Sequence, residues 1–271
     1  MNESIFTHKE NMAFCYSGSK RWLIPYLEDL PSHKRLCELY CGSASMIFNT
    51  TTEGYGIDRN PLVISIYYYL HRSKPEDIVN LEKFRLRSLE KGITDIRKLD
   101  MLEIGLEPWT ELCAGALNYI RVNCCGLIAG DFQSYKMYGK KFLPVDRTIA
   151  CLPKLQSSRF ELGEATDYVE QDGDLVFLDP PYLDLKKKEI SHMLYKDKSY
   201  NPQTTVDLIG RIKAPIIFCY GSTAKEVFPM YDWKFVKSKK VGNVKKENTE
   251  RSEYIAFINC NSCLKRDIFD S

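Results

Sequence analysis

Leu175-Val176-Phe177-Leu178 runs directly into Asp179-Pro180-Pro181-Tyr182, and this junction constrains the fold more than any other stretch of the chain. Four consecutive apolar residues read as a buried strand. The two prolines end it, because each fixes φ and removes a backbone donor, leaving carbonyls aimed outward. Two further runs, Pro215-Ile216-Ile217-Phe218-Cys219-Tyr220 and Glu253-Tyr254-Ile255-Ala256-Phe257-Ile258, also read as strands. Residues 34–60 read as strand, turn, helix, strand. There Arg35-Leu36-Cys37-Glu38-Leu39-Tyr40 is a strand, Gly42-Ser43-Ala44-Ser45 a small-residue turn, Met46-Ile47-Phe48 a helix start, and Gly54-Tyr55-Gly56-Ile57-Asp58 a strand ending on an acid. That is the opening βαβ unit of a doubly wound α/β fold.

Residues 73–120 change character. Ser73-Lys74-Pro75-Glu76 reads as a capping-box helix start with Pro in the first turn. Ile78, Leu81 and Phe84 follow at near-helical spacing, and Trp109, Leu112, Ala116 and Tyr119 repeat the pattern. Residues 121–144, rich in Gly, Tyr and Lys, read as a hairpin or loop, and the βα alternation resumes near Arg159. A helical insert therefore interrupts a parallel sheet. The expected partition is 1–72 and 151–271 as two parts of one catalytic domain, with 73–150 inserted.

The composition suits a chain that buries its own core: 44% hydrophobic and 27% charged residues exclude a disordered tail or a fibrous repeat. The longest apolar run, residues 62–70, is too short to span a bilayer. Nor does the N-terminus show the apolar core of a secretory signal. The expectation is a soluble cytoplasmic protein with no membrane role. Thirty-eight basic against thirty-six acidic residues leave +2, too balanced to argue for nucleic acid from net charge. Local clusters say more: residues 234–246 hold six lysines and no acid, and Lys186-Lys187-Lys188 follows closely on the Pro-Pro-Tyr motif. Of ten cysteines, Cys15, Cys37, Cys41, Cys113, Cys151 and Cys219 sit singly among apolar residues, where Cys behaves as a small buried hydrophobe. Cys260 and Cys263 make one C-x-x-C, and Cys124-Cys125 are adjacent, a set that falls short of a zinc site. No metal is expected.

Ligands of open α/β sheets bind beyond the carboxyl ends of the strands, which is where Asp179 stands. A carboxylate acceptor, an outward carbonyl and the flat ring of Tyr182 together suit an exocyclic amine on a planar base. No G-x-G-x-x-G is present, which argues against a dinucleotide enzyme. Asp58 lies twenty residues beyond Glu38, the spacing at which an acid reaches ribose hydroxyls in a βαβ unit; ahead of Pro61 it also reads as a helix cap.

On these motifs the chain resembles the Dam-like DNA adenine-N6 methyltransferases of bacteria and phages. The family's aromatic-Ser/Thr-Gly-x-Lys stretch is matched by Tyr16-Ser17-Gly18-Ser19-Lys20, and its acid-Leu/Pro-Phe-x-Gly by Glu38-Leu39-Tyr40-Cys41-Gly42. Asp58, a recognition insert and Asp179-Pro180-Pro181-Tyr182 follow in the family's order. One departure is the turn after Gly42, where Ser43-Ala44-Ser45 replaces further glycines.

The resemblance implies a Rossmann-like methyltransferase sheet with a helical and hairpin target-recognition insert. It also implies transfer of a methyl from S-adenosylmethionine to adenine N6 in double-stranded DNA, by base flipping and direct displacement. Asp179, Pro180, Pro181 and Tyr182 would be catalytic. Tyr16, Lys20, Glu38, Tyr40, Gly42, Asp58, Asp167 and Asp179 would hold the cofactor, Asp167 being equally readable as a cap. Arg121, Lys136, Tyr138, Lys140 and Lys141 form a basic, aromatic stretch suited to DNA. Nothing in the sequence calls for an obligate protein partner. The competing readings keep the fold with another acceptor (cytosine N4, RNA or a protein amide), or keep DNA binding without catalysis; Asp179 and the intact motif set argue against them. Finally, Ala129 stands where Dam-like enzymes carry a guanine-reading Arg, a contact worth about 1–3 kcal/mol of discrimination. Strict GATC specificity is therefore not expected, and modification mapping on a sequenced plasmid checks this: methyladenine confined to GATC contradicts it.

Overall fold

The structure is a computed structural model and describes residues 12–16, 18–27, 30–125, 134–184, 189–190, 200–237 and 252–261. The strands are β1 (Arg35–Leu39), β2 (Glu53–Asp58), β3 (Arg159–Leu162), β4 (Asp174–Leu178), β5 (Leu183–Asp184), β6 (Glu189–Ile190), β7 (Ile216–Tyr220), β8 (Lys234–Lys237) and β9 (Ser252–Ile258). The helices are α1 (Pro61–Arg72), α2 (Pro75–Glu90), α3 (Glu111–Cys124), α4 (Val145–Gln156), α5 (Pro202–Arg211) and the single turn α6 (Ala224–Val227). Seven strands form one sheet in the order β3-β2-β1-β4-β7-β9-β8, and β5 pairs with β6 separately.

β1 pairs in parallel with β2 on one side and β4 on the other. Chain order reverses between β1 and β4, and a crevice opens at their carboxyl ends, the place where such sheets bind ligands. The doubly wound α/β fold is present. The sheet is not wholly parallel, however: β9 runs antiparallel between β7 and β8. Successive strands that are also neighbours, as β8 and β9 are, pair antiparallel without the crossover helix that a parallel pair usually needs. Residues 238–251, between them, lie outside the described set.

Alternate residues of the central strands enter opposite cores. Leu36, Leu175, Phe177 and Ile217 pack with α1–α4, while Cys37, Val176, Leu178, Ile216 and Phe218 pack with Leu208 and Ile209 of α5. Burial on both faces explains why these strands read as unbroken apolar runs. At about 1.5–3 kcal/mol per fully buried large side chain, this dominates the fold's stability. Arg35 ties the entry of β1 to that of β4 by two 2.8 Å bonds to the Asp174 carboxylate, which also accepts from Tyr168 Oη at 2.5 Å.

Local chemistry sets the helix ends. Asn60 caps α1 by accepting the Leu62 N–H at 3.0 Å, with Pro61 at the first helical position. Ser73 does not cap α2 as expected; its hydroxyl donates to the Tyr69 carbonyl at 2.9 Å and closes α1. Lys74 takes the cap position of α2, and the Asp77 carboxylate accepts its N–H at 2.8 Å. The helix expected from Met46 is a single 3-10 turn, Ile47–Asn49. Asn49 Nδ2 binds the Ser45 carbonyl and Thr50 Oγ1 the Ile47 carbonyl, so side chains take the acceptors a further turn would use. Trp109 is fully exposed at φ 69, not on the core face of α3, because Thr110 starts that helix by accepting the Cys113 N–H. Gly115 lets α3 sit directly on α1: a Cβ there would lie 2.2 Å from the Ser65 carbonyl oxygen.

Residues 121–144, expected as a hairpin or loop, begin as the last turn of α3. Isolated bridges then join Cys125 to Met137 and Asp95 to Lys136; residues 126–133 lie outside the described set. Cys15 is exposed rather than buried, on an irregular segment, while Cys37, Cys41, Cys113, Cys151 and Cys219 are buried. Among the described residues, no helix is long and apolar enough to cross a membrane, and no group of three or more His, Cys, Asp or Glu could hold a metal ion.

Candidate active site

The carboxyl ends of β1, β2 and β4 face an open cleft. Tyr16, Lys20, Glu38, Tyr40, Gly42, Asp58 and Asp179 all line it, gathered from four separate stretches of sequence.

The floor is the turn after β1. Tyr40 and Ala44 adopt φ 77 and φ 47, and Gly42 between them φ 47. For a non-glycine residue such a conformation costs about 1–3 kcal/mol and persists only where the surroundings over-determine it. They do so here. The N–H groups of Tyr40 and Cys41 both reach the Ile57 carbonyl at 3.0 Å, and Tyr67 Oη donates to the Gly42 carbonyl at 2.7 Å. Asp58 accepts the Gly42 N–H at 2.9 Å and the Asn60 N–H at 2.8 Å. The departure visible in the sequence, a turn with one glycine, is thus met by left-handed Tyr40, held by β2, and left-handed Ala44, whose N–H bonds the Cys41 carbonyl at 2.6 Å. Gly42 itself must be small, since a Cβ would come 2.9 Å from the Tyr16 ring.

Glu38, 4% exposed, accepts the N–H groups of Met46 and Ile47 at 3.3 and 3.0 Å. Burial pushes its carboxyl up to about 8, against the pull of those two donors. The folded value lies above the unfolded one of 4.5, so the associated stability is fully present below that pH and is lost as pH rises to about 8. Within that window the slope approaches about 1.4 kcal/mol per pH unit. Wild-type protein should therefore lose more thermal stability than Glu38→Gln between pH 6 and 8. Equal pH slopes in scanning calorimetry of the two ligand-free proteins would contradict this.

The wall opposite is the motif after β4. Lys20, 4% exposed at the head of a 3-10 turn (Arg21–Tyr26), places Nζ 2.7 Å from Asp179 Oδ2 and 2.9 Å from the Gly18 carbonyl. Tyr182 Oη donates to Asp179 Oδ1 at 2.9 Å. Its ring packs on Tyr220, centroids 4.8 Å apart, and over Gly221, where a Cβ would meet Tyr182 Cδ2 at 2.6 Å. Burial alone would lower the Lys20 ammonium, yet the Asp179 and Glu253 carboxylates outweigh it and hold it charged. Burial raises the Asp179 carboxyl above the ordinary aspartate value, with Lys20 opposing. Pro180 and Pro181 are buried.

A family model for the D12 class of N6 adenine-specific DNA methyltransferases matches residues 16–213. The chain belongs to that family. This methyltransferase therefore acts on adenine in DNA, and the matched span runs from Tyr16 through the cleft residues and the Asp179 motif to the residues after α5.

The methyltransferase's cleft also contains residues that no sequence motif marks. Ser19 and Ser43 line it with buried hydroxyls that have no hydrogen-bond partner among the described residues. Asn60 and Phe177 line it as well. Two serines in small-residue stretches carry no pattern that sets them apart. Asp167 is not among the lining residues: it is exposed, and its Oδ2 accepts the Glu164 N–H at 2.8 Å to cap the turn Ala165–Asp167.

The residues expected to contact DNA separate into two kinds. Arg121 is 8% exposed; its Nε donates to the Ser134 carbonyl at 3.2 Å, and its guanidinium lies 4.1 Å from the Tyr135 ring centroid. Arg97 covers the same ring from 4.4 Å. Lys136, Tyr138, Lys140 and Lys141 are exposed, with Phe142 beside them. Lys141 Nζ also donates to the Cys125 carbonyl at 3.0 Å. The lysines at 186–188, those at 239–246, Ala129 and Cys263 lie outside the described residues.

Proposed function

We propose that the cleft holds S-adenosylmethionine and that Asp179 and Pro180 present the N6 amine of a flipped-out adenine to its methyl group. The observation that carries this reading is the buried Lys20–Asp179 pair at the carboxyl end of β4, at one wall of a cleft whose floor is the Gly42 turn. The cleft suits that cofactor. The orphaned Ser19 and Ser43 hydroxyls offer polar partners to the amino-acid end. Asp58 has used one acceptor site on each oxygen, and the remaining lone pairs suit ribose hydroxyls. When bound, the cofactor supplies an electrophilic sulfonium methyl.

The chain's own task is to make a weak nucleophile competent. The N6 lone pair is delocalised into the adenine ring. Acceptance of its two N–H bonds by the Asp179 carboxylate and the Pro180 carbonyl draws nitrogen toward tetrahedral geometry and aims the lone pair outward. The methyl would pass from the bound cofactor to N6, and one N6 proton would leave to solvent. No covalent enzyme intermediate is needed. Adenine in a duplex cannot reach Asp179, so the base leaves the stack. Residues 73–150 act as the recognition insert: exposed Lys136, Lys140 and Lys141 suit phosphates, and Tyr138 and Phe142 offer flat apolar surface. Arg121, buried against Tyr135, supports that surface from beneath rather than touching DNA.

Incubation of unmodified duplex DNA with labelled S-adenosylmethionine, followed by nucleoside analysis, tests the reading. Label in N6-methyladenosine is expected. Label in N4-methylcytosine, or none, would reject it.

A further inference from the structure

Asp179 has a difficulty that the family assignment does not resolve. Each of its oxygens already accepts one bond from the chain itself, Oδ2 from Lys20 at 2.7 Å and Oδ1 from Tyr182 Oη at 2.9 Å, which uses one lone pair on each and weakens the acceptor left for a substrate. Yet methyl transfer as proposed requires this carboxylate to receive an amine N–H. A second carboxylate lies within reach of the same phenol: Glu253, on antiparallel β9, places Oε2 3.3 Å from Tyr182 Oη. The same oxygen is 3.4 Å from Cys219 Sγ and 3.6 Å from Lys20 Nζ, and the side chain is 12% exposed. Tyr182 thus stands between two acceptors with one proton to donate.

We infer that Glu253 is a positioning residue for the transfer, receiving the Tyr182 hydroxyl proton so that both lone pairs of Asp179 Oδ1 are open to the adenine amine. The change needs only rotation of O–H about the phenol C–O bond. The ring stays packed on Tyr220 and Gly221. The Cys219 thiol and the Lys20 ammonium hold Glu253 in place from two sides, so the second acceptor is preset. Without it the hydroxyl has Asp179 as its acceptor and competes with the substrate. The inference rests on the proposed role of Asp179 in methyl transfer.

The consequence is unusual for a buried acid: deleting the Tyr182 hydroxyl should suppress the defect caused by deleting Glu253. Methylation kinetics with the full chain, S-adenosylmethionine and duplex DNA test it. Glu253→Leu should lower kcat roughly 10- to 100-fold, the loss expected for one misdirected hydrogen bond, while KM for S-adenosylmethionine stays within about threefold. Glu253→Gln, which keeps a neutral acceptor, should recover most of the rate. The double variant Tyr182→Phe/Glu253→Leu should be faster than Glu253→Leu alone. A purely structural role predicts the reverse, since a second truncation adds to the damage. If Glu253→Leu does not fold, Glu253→Met carries the same comparison. A Glu253→Leu rate within threefold of wild type, or a double variant no faster than the single, overturns this inference alone. A wild-type protein that forms no N6-methyladenosine overturns it together with the functional reading.

Discussion

Asp179→Ala should reduce methyl transfer by about 10²–10⁴-fold, the range expected when a positioned group acting on the reacting atom is removed. The side chain is the carboxylate that directly ends β4, and Pro180 cannot replace it, because its carbonyl is assigned to the second N–H. The protein should remain folded. Lys20 keeps Glu253 as a counter-ion at 3.6 Å and the Gly18 carbonyl as an acceptor at 2.9 Å, so its buried ammonium is not orphaned. Asp179→Asn should lose less than Asp179→Ala, since the amide oxygen still accepts. Single-turnover rates at saturating cofactor check both variants. A rate for Asp179→Ala within threefold of wild type would remove Asp179 from the reaction.

Lys20→Ala should be the most damaging change to the fold of the site. It leaves Asp179 and Glu253, both mostly buried, without the cation that lies between them. Removing one partner of a buried pair typically costs about 3–5 kcal/mol. Asp179 then favours protonation, because burial already raises it and only Lys20 and the hydrogen bonds oppose it. An acid whose folded value rises loses its charged, active form at a higher pH. The acid limb of the pH–rate profile should therefore move to higher pH in Lys20→Ala, with weaker binding of S-adenosylhomocysteine by calorimetry. An unmoved acid limb together with unchanged affinity would reject the role given to Lys20 at both Asp179 and the cofactor.

Much of this site is legible in the amino-acid sequence. Tyr16, Lys20, Glu38, Tyr40, Gly42, Asp58 and Asp179 are each marked by a motif or by standing at a strand end, and all line one cleft. Glu253 is not marked, because it opens an ordinary alternating strand, Glu253-Tyr254-Ile255-Ala256, where an acid reads as a solvent-facing position. Only the antiparallel seating of β9 beside β7 turns that acid toward Tyr182 and Cys219. Ser19 and Ser43 are hidden for a different reason: a serine becomes informative only when it is buried without a partner. Arg121, read from the sequence as a DNA contact, is 8% exposed and has the Tyr135 ring centroid 4.1 Å from its guanidinium, a contact that no local pattern reveals.

The sequence by itself determined the class of fold, the order of the motifs and the strand ends that meet at one cleft. It could do so because apolar runs, prolines and strand-end acids act over a few residues, within the reach of local sterics and periodicity. Tertiary structure alone decided the antiparallel β9, the left-handed Tyr40 and Ala44, and the sharing of one phenolic proton between Asp179 and Glu253. Those outcomes depend on contacts between residues far apart in the chain. Tyr182 and Glu253 are separated by 71 positions, and Lys20 and Asp179 by 159. A backbone strained at Tyr40 is tolerable only because β2 supplies the Ile57 carbonyl and the Asp58 carboxylate at the point of strain.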